Sequence, residues 1–119
     1  MMVGLLLSDD LIFSSRITGT GSALGFQIRV AKSSAGLMNL AKQESPICVI
    51  LDLSNPGLNI VDVVADLKRL EPAPRVVAYG SHVDTATLKE ARAAGCDVVM
   101  PRSQFVEELP TSLSEWMKS

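Results

Sequence analysis

Three aspartates follow two apolar segments of the sequence, at positions where buried strands would end. Asp9 and Asp10 come directly after VGLLLS, and Asp52 ends the segment ICVILD. Both segments are short and rich in β-favouring residues, which is typical of strands buried on both faces of a parallel sheet. The carboxyl ends of parallel strands lie at one edge of the sheet, where open α/β folds bind ligands. We therefore expect the three carboxylates to converge there and to hold a divalent cation.

The composition is that of one globular domain. The chain of 119 residues is 47% hydrophobic and 20% charged, which suits a single core over residues 1–119. The net charge of −2, with the basic residues scattered along the chain, argues against a nucleic-acid partner. The apolar N-terminal segment is too short for a signal peptide or a membrane span, so we expect a cytoplasmic protein with no membrane partner. Cys48 and Cys96 have neither metal-ligand nor disulfide spacing.

Extended and helical patterns alternate along the whole chain, which predicts an α/β fold. The predicted strands are 3–7, 26–30, the segment that ends at Asp52, 75–79 and 98–100. Gly19, Gly21 and Gly25 predict an irregular or early-ending first helix, because an interior glycine costs roughly 1 kcal/mol. Asp84 is expected to cap the fourth helix, which should stop at Gly95.

The last helical segment carries one apolar stripe. Its members stand at offsets of four, eight and eleven residues: Phe105, Leu109, Leu113 and Trp116. This spacing favours a helix that packs on the core over one that exposes the stripe to a partner. The only histidine, His82, has no acid beside it in the sequence and is interpreted as a loop side chain.

This order of elements and acids resembles the receiver domain of two-component response regulators, the CheY-like fold. The resemblance covers nearly the whole chain, and its most specific parts are LLLSDD at 5–10, VILDLSNPG at 49–57 and AAG at 93–95. It implies a doubly wound, five-stranded parallel sheet of order 2-1-3-4-5 with five helices in three layers.

The resemblance also implies roles for individual residues. Asp52 would be the phospho-acceptor, and Asp9, Asp10 and the Ser54 carbonyl would join it in holding Mg²⁺. An aspartate attacks a phosphoryl group only if the charges of both groups are offset, which is what the cation would supply.

Several positions depart from the pattern of these domains. Counted from Gly95, the lysine of the family is replaced by Arg102 and its hydroxyl residue by Gly80. Ser81 could supply the missing hydroxyl, so Arg102 and Ser81 are the candidate phosphate-binding residues. The residue three before Arg102, an aromatic in the family, is Val99. Arg102 has two open roles, binding phosphate or forming an internal ion pair with the acceptor carboxylate.

The resulting prediction is a stand-alone, atypical receiver-like module that signals by protein–protein interaction and is not an enzyme. Its partners would be a kinase or a downstream effector, or a second copy through the face formed by helix 4, strand 5 and helix 5. One alternative is a pseudo-receiver that docks without phosphorylation of Asp52, and another is a small Mg²⁺-dependent phosphatase. A flavodoxin-like nucleotide binder is disfavoured, because SDDLIFSS at 8–15 is acidic and has no glycine-rich phosphate loop.

Overall fold

The computed structural model describes residues 2–118, in which strands and helices alternate. The five strands are β1 (Val3–Leu7), β2 (Gln27–Ala31), β3 (Cys48–Asp52), β4 (Arg75–Gly80) and β5 (Val98–Pro101). The five helices are α1 (Leu11–Ala23), α2 (Ser34–Glu44), α3 (Ile60–Lys68), α4 (Thr85–Ala93) and α5 (Arg102–Trp116). No helix within residues 2–118 combines the length and the apolar character needed to cross a membrane.

All neighbouring strands are parallel, and the sheet has the order β2-β1-β3-β4-β5. The predicted topology of order 2-1-3-4-5 is therefore confirmed. In this register Leu7 lies opposite Leu51 of β3, and Asp52 lies opposite Tyr79 of β4. The carboxyl ends of β1, β3 and β4 consequently meet at one edge of the sheet.

The helices cover both faces of the sheet, which gives the predicted three layers. One hydrophobic cluster joins the sheet to α2, α3 and α4, and the other joins it to α1 and α5. The four residues of the predicted α5 stripe are all buried in the second cluster: Phe105, Leu109, Leu113 and Trp116. The interpretation of this stripe as core is confirmed.

The first helix is longer and more regular than its glycines predicted. It runs for 13 residues, from Leu11 to Ala23, and contains both Gly19 and Gly21. Gly21 is buried against β2, where a Cβ atom would lie 2.6 Å from Cγ1 of Ile28. The prediction of an early end was wrong, because packing on the sheet offsets the weak helix propensity of glycine and requires the small residue.

The fourth helix has the predicted ends. The Asp84 side chain accepts a hydrogen bond from the Thr87 N–H and so caps α4. The hydroxyl and the backbone N–H of Thr87 also hold the pKa of Asp84 below its ordinary value. Gly95 follows the helix with φ of +105°, a left-handed conformation that glycine adopts without strain.

Candidate functional site

Asp52 is a buried carboxylate at the carboxyl end of β3, with only 2% of its surface exposed. Its Oδ2 atom accepts a hydrogen bond from the Ser8 hydroxyl at 2.9 Å. Its Oδ1 atom accepts from the Ser54 hydroxyl at 2.6 Å and from the Ser54 N–H at 3.0 Å. A buried carboxylate is tolerated only when its oxygens are paired in this way, so Ser8 and Ser54 stabilise the charge.

Ser8 faces Asp52 because of the register of β1 on β3. Leu6 pairs with Ile50 and Leu7 with Leu51, so Ser8, which directly follows β1, comes opposite Asp52 at the end of β3. The Ser8 N–H continues the ladder to β2 by donating to the Ala31 carbonyl, and the side chain is 1% exposed. Sequence reasoning missed Ser8, although the alternation of a strand would have placed it on the same face as Leu6.

Asp10 caps the N-terminus of α1 and forms an ion pair with Arg102. Its Oδ1 atom accepts from the Phe13 N–H at 2.9 Å, which caps the helix, and its Oδ2 atom accepts from Arg102 at 2.8 Å. Both carboxylate oxygens are therefore engaged. The backbone N–H of Asp10 donates to the Ser8 hydroxyl at 3.2 Å, which ties the start of α1 to the Asp52 pocket.

The predicted convergence of Asp9, Asp10 and Asp52 is not found. Asp9 is exposed, and Asp10 is bound to Arg102 and to the first turn of α1. Within residues 2–118, no three acidic, histidine or cysteine side chains form a group that could hold a metal ion. The metal site stays a prediction: the two residues after Ser8 belong to the turn and the cap of α1, whereas Ser8 itself lies beside Asp52.

Arg102 is the first residue of α5 and pairs with Asp10, not with Asp52. Its guanidinium also lies over the Phe13 ring, 4.3 Å from the ring centroid, where a cation–π interaction stabilises it. The side chain is 43% exposed, so this ion pair is partly screened by solvent. The internal ion pair considered for Arg102 exists, but with a different acid.

A cavity of about 560 Å³ opens between the β4–α4 loop and α5. It is lined by the following residues: Phe13, Asp52, Ser54, Tyr79, Gly80, Ser81, His82, Arg102, Ser103 and Val106. The structure thus brings the candidate phospho-acceptor and both candidate phosphate-binding residues, Arg102 and Ser81, to one cavity. Ser81 is exposed there, and its hydroxyl accepts a hydrogen bond from the Val83 N–H at 3.4 Å. A side chain at Gly80 would be crowded, since a Cβ atom would lie 3.3 Å from Leu53.

Tyr79 places an aromatic ring and a hydroxyl next to Asp52. The ring stacks on Phe105 with centroids 4.5 Å apart and lies 5.1 Å from the Phe13 centroid. The hydroxyl is buried and has no hydrogen-bond partner within residues 2–118. Burial, and next the nearby Asp52 charge, raise the pKa of Tyr79 above its ordinary value. Position 99 of β5 carries valine, and the aromatic side chain of the neighbouring strand β4 that lines the cavity is Tyr79.

We expect Asp10 to titrate below its ordinary pKa of 3.8, because the Phe13 N–H and then Arg102 stabilise its charged form. A carboxylate with a depressed pKa stabilises the folded state above the ordinary value, and this contribution is lost as the pH falls through the lower, folded value. Side-chain carbon NMR of Asp10 against pH would measure the shift. In Arg102→Gln the pKa should rise but stay below 3.8, since the larger cause remains; an unshifted Asp10 in the wild type would contradict the assignment.

Comparisons with known proteins agree with this architecture. No family model matches the chain. The transcriptional regulatory protein KdpE of Mycobacterium tuberculosis is 33% identical over 99 residues, which are 82% of this chain and 42% of KdpE. The chain therefore spans less than half the length of that relative.

Solved receiver structures superpose over almost the entire chain. The signal receiver domain of a response regulator from Bermanella marisrubri has a TM-score of 0.85 at 21% identity, with 98% of each chain covered. The receiver domain of NtrX from Brucella abortus has a TM-score of 0.82 at 19% identity and covers 96% of this chain and 97% of its own. The chain has the CheY-like fold of response regulator receiver domains.

Receiver domains generally bind Mg²⁺ for phosphorylation, and in this pocket the carboxylates of Asp52 and Asp10 already accept hydrogen bonds. Mg²⁺ is usually bound through one or two carboxylates and keeps several waters. Here the oxygens of Asp52 accept hydrogen bonds from Ser8 and Ser54, and those of Asp10 accept from Phe13 and Arg102. The two carboxylates therefore accept from hydroxyl groups, backbone N–H groups and the Arg102 guanidinium.

Proposed function

We propose that this chain is a receiver module of two-component signalling that acts by binding other signalling proteins and does not require phosphorylation of Asp52. The receiver fold and the similarity to KdpE support the signalling role. We further propose that residues 1–119 form one domain without enzymatic activity and that it works in the cytoplasm. The surface of α4, β5 and α5 is the proposed contact face for an effector or a second copy.

The observation that carries this proposal is the hydrogen bonding of Asp52. Three donors from Ser8 and Ser54 bind its two oxygens, and the side chain is almost fully buried. A nucleophilic carboxylate must instead be free to attack, with nearby positive charge to offset the incoming phosphoryl group. Arg102, which lines the same cavity, is engaged by Asp10.

Phosphorylation of Asp52 is the second candidate, and one feature favours it. Arg102 and Ser81 line the same cavity as the Asp52 carboxylate, and both carry donors for phosphate oxygens. For Asp52 to be phosphorylated, Arg102 would have to leave Asp10, and the groups that donate to Asp52 would have to move away from its oxygens. The phosphatase alternative would need a metal-binding site, and no group of three acidic, histidine or cysteine side chains within residues 2–118 supports it.

Amide NMR with Mg²⁺ and beryllofluoride, which mimics an acyl phosphate, separates the two candidates. If the proposal holds, Mg²⁺ and beryllofluoride together should cause no chemical-shift change at residues 52–54, 80–82 or 102 beyond what either reagent causes alone. Asp52→Asn provides the matched control, because it keeps the size of the side chain and removes the acceptor charge. Shifts that appear in the wild type with both reagents and are absent in Asp52→Asn would contradict the proposal and favour phosphorylation of Asp52.

The same pair of proteins tests the binding role. Wild type and Asp52→Asn, each carrying a photo-crosslinker on α5, should capture the same proteins from cells that express the chain. A partner that binds only the wild type after treatment with a phosphodonor would show that phosphorylation controls the interaction. Failure of both proteins to cross-link any signalling protein would remove the binding role itself.

A further inference from the structure

The cavity beside Asp52 is much larger than a phosphoryl group. Its volume of about 560 Å³ falls within the range of about 300–1,000 Å³ that is typical of small-molecule sites. A phosphoryl group on Asp52 would add only a few non-hydrogen atoms, and a whole water molecule takes about 30 Å³ of liquid. Most of the cavity would therefore stay unfilled, which leaves room for an organic molecule.

The two ends of this cavity differ in exposure and in chemistry. The inner end is formed by Asp52 and Tyr79, which are 2% and 1% exposed. Phe13 and Val106 are half-buried apolar side chains that line the same cavity. The outer end is formed by polar side chains that are exposed or half-exposed: Ser81, His82, Arg102 and Ser103. A molecule that fits this lining has an apolar body and a polar group at each end.

The inner end contains a hydroxyl group without a partner. The Tyr79 Oη atom is buried and has no hydrogen-bond partner within residues 2–118, which costs free energy. Asp52, opposite Tyr79 in the sheet, accepts three hydrogen bonds, whereas an ionised carboxylate has about four acceptor positions. A ligand hydroxyl can accept from Tyr79 and donate to Asp52, so it matches both groups.

The outer end attracts an anionic group. Among the helices of residues 2–118, α5 alone has no side-chain hydrogen bond at its N-cap, and its first two residues, Arg102 and Ser103, line the cavity. Uncapped N–H groups at the start of a helix bind anions. The Arg102 side chain has five N–H donors, and its one hydrogen bond within residues 2–118 is to Asp10. Because the Asp52 charge repels an anion from the inner end, an acid group is favoured only at the outer end.

We propose that this cavity binds a small organic acid with an apolar body and a hydroxyl group opposite the acid group. The acid binds at Arg102 and the start of α5, and the hydroxyl binds at Tyr79. The α5 residues that line the cavity belong to the helix of the proposed contact face, so the ligand is the signal that controls partner binding. This inference rests on the proposed function and deepens it, because it supplies a signal that does not require phosphorylation of Asp52.

Amide NMR titrations with para-hydroxybenzoate test the class of ligand, because this molecule has an aromatic body between a carboxylate and a hydroxyl. We expect saturable shifts at residues 79–82 and 102–104 of the wild type. Benzoate, without the hydroxyl, should bind about fivefold more weakly, and phenol, without the acid, about tenfold or more weakly. The inference is overturned if no probe gives saturable shifts there, or if benzoate, phenol or inorganic phosphate binds as tightly as para-hydroxybenzoate.

Two substitutions assign the two ends of the cavity. Tyr79→Phe removes only the inner hydroxyl and should bind benzoate and para-hydroxybenzoate equally well. Arg102→Gln should weaken the binding of both acids about tenfold. Arg69→Gln is the matched control and should bind like the wild type, because Arg69 is 76% exposed, pairs with Asp66 and does not line the cavity. A Tyr79→Phe protein that kept the preference for the hydroxy acid, or an Arg102→Gln protein that bound like the control, would contradict the assignment.

Photo-crosslinking from α5 separates this inference from the proposed function. With saturating para-hydroxybenzoate, the wild type should capture its partners in a yield different from that without the acid. An unchanged yield with the acid bound overturns the inference and leaves the proposed function standing. If no signalling protein is captured in either condition although the titration shows binding, the proposed function fails, and with it the signalling role of the ligand.

Discussion

Replacing Phe105 by alanine is expected to lower the free energy of unfolding by about 3–5 kcal/mol, the range for deleting a fully buried aromatic ring. Phe105 is 0% exposed and lies in the middle of the aromatic stack on this face of the sheet. Its ring centroid is 4.5 Å from that of Tyr79 and 5.7 Å from that of Trp116. Removing the ring would leave a cavity between β4 and α5 and would end both stacking contacts.

Urea unfolding followed by circular dichroism would measure this loss, and the fluorescence of Trp116, the only tryptophan, gives a second probe. Phe105→Leu is the matched control, because it retains apolar volume and should lose clearly less stability than alanine. A Phe105→Ala protein within 1 kcal/mol of the wild type would mean that α5 does not depend on this stack, in conflict with its full burial.

Replacing Asp52 by alanine should destabilise the protein by about 2–3 kcal/mol, because it leaves buried donors without an acceptor. The Ser8 hydroxyl and both Ser54 groups donate to this carboxylate. The direction of the change in stability distinguishes two descriptions of the pocket. In a cluster of mutually repelling acids, deletion of one carboxylate would relieve repulsion and stabilise the fold, whereas here it removes a well-paired acceptor.

Chemical unfolding of Asp52→Ala, Asp52→Asn and Asp9→Ala would test this ranking. Asp52→Asn keeps one acceptor oxygen and should fall between alanine and the wild type. Asp9→Ala removes an exposed acid from the same edge of the sheet and should change stability little. An Asp52→Ala protein more stable than the wild type would show that repulsion between acids dominates the pocket. It would contradict the stabilising hydrogen bond from Ser8 to Asp52.

Asp52 and Phe105 belong to one connected part of the structure. Tyr79 stands opposite Asp52 in the sheet and stacks on Phe105, so the hydrogen-bonded pocket and the aromatic core of α5 share a residue. Arg102, at the start of the same helix, is tied to Asp10 and Phe13. The pocket is therefore connected to α1 and α5 by contacts that need neither phosphate nor metal.

Much of the fold could be predicted from the sequence, because it depends on local patterns. The apolar segments that became β1 and β3, the cap at Asp84 and the stripe on α5 are all confirmed. The length of α1 could not be predicted in this way. Position 21 needs a small residue because Ile28 of β2 packs against it. Local propensity predicts that a glycine weakens a helix. That the packing of α1 requires a glycine is apparent only in the folded protein.

The sequence by itself determined the order of elements, the burial of the strands and the presence of Asp52 at the end of β3, because hydrophobic periodicity and turn residues act over short distances. Only the tertiary structure decided which residue faces Asp52. Side chains alternate between the faces of a strand, so a difference of one position exchanges Asp9 for Ser8. That choice depends on the register between β1 and β3, which lie 44 residues apart at this contact, and it makes the pocket a hydroxyl-lined site.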